Sequence, residues 1–424
     1  MRLAWFSPVP PARSGIAAYS ADLLPHLAAD HAIDVFVDRP GEVAGARVLD
    51  AHDFVWRHRL APYDLVVYHL GNAPCHDYMW AYLARHPGLL VLHDARLHQA
   101  RARQLLQAGR FDDYRAEFRF DHPGAVQDFA EYAIEGLGGP IYYYWPMRRA
   151  ALQAARAVAV HNARVAADLQ AECPRGAVAT IRMGVPGAPG GGPSGAPAIR
   201  AALAIPPGAV VFAAFGRITA EKRIGAILRA IAALSADGID AYLLLVGEAD
   251  GFPLAREVAA LSIAGRVRAT GYVPDDRIGV YLAAADVCLC LRWPTALETS
   301  ASWLRCLAAA RPTVVSDLAH LVDIPAAVAP RVNLLDEDRS LQGIMRQLAV
   351  DRPRRDALAA AGQAWWAAGH TLSHMVDDYR QLLQDAAARP PGAPPELPAH
   401  MTAGHMALAR SIARDFGVAV DLLA

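Results

Sequence analysis

Arg217 and Lys222 are the side chains best placed by their surroundings to hold an anion. They occur in Ala213-Ala214-Phe215-Gly216-Arg217-Ile218-Thr219-Ala220-Glu221-Lys222-Arg223, where an apolar run ends at a glycine just before a helical pattern begins. The carboxyl edge of an open α/β sheet is where ligands bind. There a guanidinium fork and an ammonium point charge beside backbone amides suit a diphosphate. The plainer alternative is a solvated turn in which Glu221 neutralises one of the cations. A second turn, Glu298-Thr299-Ser300, follows the apolar run 287–291 and leads into a helix reaching about residue 310. Its amides and hydroxyls suit phosphate oxygens and its carboxylate suits sugar or ribose hydroxyls. Equally, Thr299 or Ser300 caps the helix and Glu298 complements its dipole. In the first half, Leu89-Leu90-Val91-Leu92-His93-Asp94 sets a histidine at a strand end, where it can bond a substrate hydroxyl or close a core. Gly15 would let a ligand approach the backbone, or simply make a turn.

Other arrangements carry less. His93 with His98, and His370 with His374, have spacings that could share a helical face, but neither pair has a third ligand nearby, so no metal site is expected. Cys288 and Cys290 alternate on one strand and read as buried structural thiols. Tyr142-Tyr143-Tyr144-Trp145 reads as packing, with a sugar or lipid pocket as the alternative.

The elements that must position these residues form two β-α series. The first has apolar runs at 3–6, 33–37, 65–70, 89–92 and 157–161. Helical patterns lie at 80–85 and 148–155, and Ile16, Leu23, Leu24 and Leu27 form a stripe that Ser14 can cap. Runs apolar at nearly every position suit parallel strands covered on both faces. The stretch 186–197, dense in proline and glycine, reads as a linker with no packed element. Beyond it come strands at 210–214, 241–246, 287–291 and 313–315, with helices at 224–234 and 277–284. A helical stretch at 354–389 closes the regular part, and 399–423 is an alanine-rich helix with no evident partner. Two doubly wound, Rossmann-like α/β domains facing a cleft follow.

Composition narrows the function. The 424 residues are 54% hydrophobic and 20% charged, with 41 basic and 42 acidic side chains and a net charge of -1. That excludes a general field for nucleic acid or anionic membrane, and excludes disorder over most of the chain. No apolar run reaches the roughly 18 residues of a membrane span. No signal peptide is read at the start, and the odd count of 5 cysteines makes no disulfide framework. A cytoplasmic location is expected, with peripheral association at the inner membrane as the variant, although no strongly basic amphipathic face supports it.

These blocks together resemble the GT-B glycosyltransferases, specifically retaining family 4 (glycosyl transferases group 1). Phe215-Gly216-Arg217 with Glu221-Lys222, Val246-Gly247, Thr270-Gly271-Tyr272-Val273-Pro274, residues 281–287, Glu298-Thr299-Ser300 and Ala309-Ala310-Arg311-Pro312-Thr313-Val314-Val315 carry the resemblance. In the first half, Pro10-Pro11-Ala12-Arg13-Ser14-Gly15-Ile16 and Leu92-His93-Asp94 look like acceptor-side elements. The resemblance implies a domain over 1–185, a linker over 186–199, a nucleotide-sugar domain over 200–370, a closing helix over 371–389 and a tail over 390–424. By it, Arg217 and Lys222 would hold the diphosphate of a UDP- or GDP-linked hexose. His93 and Glu298 would complete the catalytic set. Gly15, Gly216, Tyr272, Val273, Thr299, Ser300, Ala301 and Ser302 would bind the donor. Hinge closure through the linker would bring the two lobes together. No metal or other cofactor is expected, because the two cations supply the electrostatics. The acceptor is unidentified.

One departure stands out. Many members carry two glutamates eight positions apart, and here Leu297 and Arg305 occupy those places, with Glu298 one position along. This motivates an alternative, a non-catalytic nucleotide-sugar-binding partner or sensor. A dinucleotide-dependent oxidoreductase is disfavoured, since no G-x-G-x-x-G follows either opening strand.

Overall fold

Strands that are apolar on both faces must be covered on both, and helical crossovers between parallel strands do this. The computed structural model describes residues 1–173, 176–187, 195–390 and 396–402. Its first sheet contains β1 (Arg2–Phe6), β2 (Ala32–Val37), β3 (Arg47–Asp50), β4 (Leu65–Leu70), β5 (Leu89–Leu92), β6 (Ala157–Val160) and β7 (Val178–Thr180). The strand order is β3-β2-β1-β4-β5-β6-β7, and each pairing is parallel. The second contains β8 (Val210–Phe215), β9 (Ala241–Val246), β10 (Val267–Ala269), β11 (Val287–Cys290), β12 (Thr313–Ser316) and β13 (Arg331–Val332). Its order is β10-β9-β8-β11-β12-β13, again parallel throughout. Both sheets reverse direction of travel beside their first strand, between β1 and β4 and between β8 and β11. Such switch points open a crevice at the carboxyl ends of the strands.

The chain groups into two units. One comprises Met1–Ile181, Ala296–Glu298 and Tyr379–Ala424; the other comprises Arg182–Thr295 and Thr299–Asp378. Each has its own apolar core. Phe6, Phe36, Phe54 and Tyr68 anchor one face of the first sheet. In the second unit Phe212, Ile227 and Leu243 pack on one face, while Val211, Leu244 and Cys288 pack on the other.

The expected strands and the helices around 80–85, 148–155, 224–234 and 277–284 are present within a few residues of their expected limits. Four differences have physical reasons. The stretch 354–389 is two helices, Arg352–Gly369 and Leu372–Ala388, and the chain breaks where the His370 ring turns back to the Met183 carbonyl at 2.9 Å. The 186–197 linker ends earlier than expected. A helix occupies Ala196–Ala202 with Pro197 in its first turn, where a backbone N–H has no intrahelical partner to lose. Residues 188–194 of that linker lie outside the described residues. Of the tail helix only Ala399–Thr402 is described, and it does have a partner: Met401 is buried in the first unit and His400 bonds Glu117.

The fourth difference is an unforeseen helical insertion between β5 and β6, including His98–Leu106 and Phe111–Asp121. It has its own small core around Tyr114, Phe118 and Met147. Tyr142 and Trp145 pack against that core, as the packing reading of the aromatic run expects. No helix among the described residues is long and apolar enough to cross a membrane.

Candidate functional site

In the second unit the turns after β8, β9 and β10 lie against one another through glycine backbone. Gly216 N donates to the Val246 carbonyl at 2.9 Å, Ile218 N to the Glu248 carbonyl at 2.8 Å, and Gly247 bridges Gly271. Gly216 and Gly247 have φ of +87° and +152°. A Cβ on Gly247 would stand 2.2 Å from the Gly216 carbonyl oxygen, so only glycine permits this approach.

Lys222 lies in the one-turn helix Ala220–Lys222, and its ammonium folds back over Gly216 to donate to the Phe215 carbonyl. A Cβ on Gly216 would meet Nζ at 2.6 Å. Burial, then the charges of Arg292 and Arg217, push the lysine down to about 7. Arg292 follows β11 on the other side of the switch point. Its turn is tied to that of Lys222, because Trp293 N donates to the Glu221 carbonyl at 2.7 Å. Arg217 is the most open of the three. Its side chain is 68% exposed and pairs with Asp250 at 2.8 Å. Three cations thus surround the turn after β8. Two of them, Arg217 and Lys222, were expected from sequence. Arg292 was passed over, although its place one residue beyond an apolar strand end was the available signal.

The remaining donor-side candidates have mixed surroundings. Ser300 caps the helix Ala301–Ala308 by accepting from Trp303 N at 3.3 Å, as the plainer reading of that turn has it. Ser302 Oγ lies on the same side as Lys222, 3.9 Å from the position of a Gly216 Cβ. Thr299 is half-buried, Ala301 opens the helix, Tyr272 is exposed and Val273 packs on the core. Arg305 pairs with Asp275 at 3.2 Å, so the guanidinium at this position turns to a carboxylate.

Glu298 groups with the first unit. The carbonyl of Ala296 accepts from Ala95 N and Arg96 N at 2.8 and 3.2 Å, which lays Ala296–Glu298 along the turn after β5. Leu297 adopts φ +64°, a strained left-handed conformation, while its side chain packs on the core. Burial and then Arg148 lower the Arg96 guanidinium, and Glu298 acts in the opposite direction.

His93 follows β5 and is half-buried. Burial and three neighbouring histidines push it well below the usual imidazole range. Its Nε2 lies 2.9 Å from Nδ1 of His69, a residue on β4 that the sequence reading missed. The His93/His98 pair does not share a helical face, because His93 lies in the turn before the helix and His98 is buried against Tyr114 and the Trp145 carbonyl. His370 and His374 are likewise divided between the end of one helix and the start of the next. Cys288 and Cys306 are buried and Cys290 half-buried. Gly15 begins the helix Gly15–Leu27, which Ser14 caps by accepting from Ile16 N and Ala17 N at 3.1 and 3.3 Å. No described atom would meet a Cβ on Gly15. Among the described residues no three His, Cys, Asp or Glu side chains are grouped to hold a metal ion.

The family model described as Glycosyl transferases group 1 matches residues 209–347, which include the turns after β8, β9, β10 and β11. A search of curated proteins finds no match. Among solved structures, sucrose-phosphate synthase from Thermosynechococcus elongatus superposes with a TM-score of 0.65 at 17% identity, covering 91% of this chain and 98% of that one. WaaG, a glycosyltransferase involved in lipopolysaccharide biosynthesis, gives 0.64 at 14% identity over 90% and 99%. Anabaena HepE in complex with UDP and glucose gives 0.62 at 15% identity over 91% and 100%. The fold expected from the sequence, α/β with two Rossmann-like domains of the GT-B kind, is the fold these likenesses share with the chain.

Proposed function

We propose that the protein is a glycosyltransferase that moves a hexose from a UDP- or GDP-linked donor to an acceptor hydroxyl, keeping the anomeric configuration and using no metal ion. The carrying observation is the crowding of like charge at the β8–β11 switch point, where Lys222 shares its surroundings with Arg217 and Arg292. A cation pushed down by burial and then by like charge is relieved by an anion, and a diphosphate is the anion that two guanidinia and an ammonium fit. The family model over 209–347 and the UDP complex of a protein of the same fold support the choice of a nucleotide donor.

In this reading the bond between the sugar anomeric carbon and the diphosphate oxygen breaks while Arg217 and Lys222 stabilise the departing charge. The acceptor oxygen joins the anomeric carbon on the same face, and its proton passes to the departing phosphate oxygen. His93 contacts the transferred sugar, and Glu298 bonds sugar hydroxyls. Gly15, Gly216, Tyr272, Val273, Thr299, Ser300, Ala301 and Ser302 border the donor. Release of UDP or GDP from a panel of nucleotide sugars tests this, with Arg217→Ala and Lys222→Ala as comparisons. Each substitution is expected to lower kcat/KM at least a hundredfold, since each removes a preorganised charge. Undiminished release from both variants defeats the site assignment.

The existing pairings of Arg217 with Asp250 and Arg305 with Asp275 favour a second reading, a nucleotide-sugar sensor without turnover. Calorimetric binding of a nucleotide sugar with neither hydrolysis nor transfer would select it.

A further inference from the structure

The carboxyl ends of β4, β5 and β6 bring three histidines to one face of the first sheet. The register pairs Val67 with Trp5 and with Leu89, and His69 with Val91, which in turn pairs with Ala159. Side chains alternate along a strand. Trp5, Val67, His69 and Val91 therefore share a face, and His93 and His161, two residues beyond Val91 and Ala159, continue it. His69 is fully buried, with its ring 4.8 Å from that of Trp5 and 5.2 Å from that of His93. Tyr19 packs edge-on to His93 at 4.9 Å and bonds Tyr379 through their hydroxyls at 2.7 Å. The arrangement leaves the imidazoles little freedom to reorient.

One of the two facing nitrogens, His69 Nδ1 and His93 Nε2, must carry the proton of their 2.9 Å hydrogen bond. Burial keeps both rings neutral, reinforced by the neighbouring histidines. Each neutral imidazole has one N–H and one bare nitrogen, so two arrangements exist. If His93 donates, the proton of His69 sits on Nε2, a buried atom with no partner among the described residues. If His69 donates, that buried Nε2 is a bare nitrogen. An orphaned buried N–H is the rarer defect. The indole packed against the same ring already leaves its buried Nε1–H without an acceptor, so a second orphan donor there would compound the cost. His76 and His161 have their own protons placed by carbonyls. Their Nδ1 atoms donate to the His69 and Ile181 carbonyls at 2.8 and 3.1 Å.

We infer that His69 is a positioning residue: by donating from Nδ1 to His93 Nε2 it holds His93 as the Nδ1–H tautomer. His93 then offers a neutral N–H donor from the ring nitrogen that no described residue engages. A hydroxyl or ether oxygen of the transferred sugar is the class of group such a donor serves, and this part rests on the glycosyltransferase reading above.

Two-bond proton–nitrogen correlations of the histidine-labelled full-length protein read the tautomer directly, independently of any activity. The expected result is His93 protonated at Nδ1, changing to the Nε2–H form in His69→Ala. In His69→Asn the side-chain amide replaces Nδ1 as donor and restores the Nδ1–H form. Finding Nε2–H at His93 in the wild type overturns the inference, and that spectrum requires no variant to fold. Kinetically, His69→Ala should lower kcat for UDP or GDP release about tenfold, the loss of one aligned hydrogen bond. The donor KM should change less than about twofold, and His69→Asn should recover most of kcat. An equal loss in His69→Ala and His69→Asn indicates a purely structural role and also overturns it. If the wild type shows Nδ1–H yet transfers no sugar from any nucleotide donor, the glycosyltransferase reading falls while the placement of the proton stands.

Discussion

At the scale of single residues, the state of Lys222 sets how binding of the proposed nucleotide donor should depend on pH. Burial, ahead of the charges of Arg292 and Arg217, lowers the folded pKa to about 7 from an unfolded value of 10.5. Between these values the unfolded chain holds a proton that the folded chain lacks, so stability rises with pH in that window. Below about 7 both states are charged and the penalty is present in full. An anionic ligand reverses the preference and draws a proton onto the lysine. Binding of UDP or GDP above pH 7 should therefore take up a proton and weaken by at most about tenfold per pH unit. Calorimetry in buffers of different ionisation enthalpy measures the uptake. Lys222→Arg, which stays charged, should flatten the dependence. The nearby Cys306 thiol does not mimic this signal, because its hydrogen bonds with Cys288 and Cys290, and then burial, raise it well above the usual thiol range. A dependence equally steep in Lys222→Arg would assign it elsewhere. The places of Arg217, Lys222 and His93 in strand-end turns, and the Ser14 cap, were legible in the chain, because position beside an apolar run or helix start suffices for each. His69 was not, because its role arises from the register between β4 and β5. The recurrence of a histidine near three strand ends, in Leu65-Val66-Val67-Tyr68-His69-Leu70, Leu92-His93 and Val160-His161, was the unread trace.

At the scale of elements, the site depends on how closely strand-end turns approach one another. Gly247→Ala brings a methyl to 2.2 Å from the Gly216 carbonyl in a backbone conformation of φ +152°. Neither atom is the flexible end of a side chain, so the turn after β8 or β9 must move. A loss of about 2–4 kcal/mol follows from strain and overpacking together. The thermal midpoint should fall by several degrees, and affinity for the proposed nucleotide donor should fall with it, because the displaced turn supports Lys222. Gly15→Ala, which meets no described atom, is the contrasting case for stability; an equal thermal loss in both would refute the close-approach explanation. The same geometry explains what could be read of the fold. Central strands such as β4, β8 and β9 are long and apolar, hence conspicuous. Edge strands β3, β7, β10 and β13 run only two to four residues, are exposed or half-buried for the most part, and take their conformation from a neighbour. The helices His98–Leu106 and Phe111–Asp121 escaped notice because their apolar residues serve a small local core and charged residues dominate the rest.

At the scale of the whole chain, residues from the far C-terminal end complete the first unit. Glu117, on the helix Phe111–Asp121, is buried beside Arg101, and the ring of His400 reaches its Oε1 at 2.7 Å. The Arg101 guanidinium also lies over the Trp80 ring at 4.3 Å. Burial alone would raise the Glu117 carboxyl, but Arg101 and His400 outweigh it and hold it down to about 2. Because the folded pKa is depressed, this contribution is full above the unfolded value of about 4.5 and disappears as the pH falls toward 2. His400→Ala removes one partner of a buried carboxylate, a change worth about 1–3 kcal/mol. The folded pKa of Glu117 should rise toward its unfolded value, narrowing the difference that stabilises the fold at neutral pH. Acid unfolding followed by circular dichroism should therefore begin at a higher pH in His400→Ala than in the wild type. Met401→Ala, which trims a buried apolar contact without touching the carboxylate, should lower stability by a similar amount at every pH and leave the shape of the acid profile unchanged. Coincident acid profiles for the wild type and His400→Ala would show that Arg101 alone holds Glu117, and that the C-terminal segment contributes packing without charge.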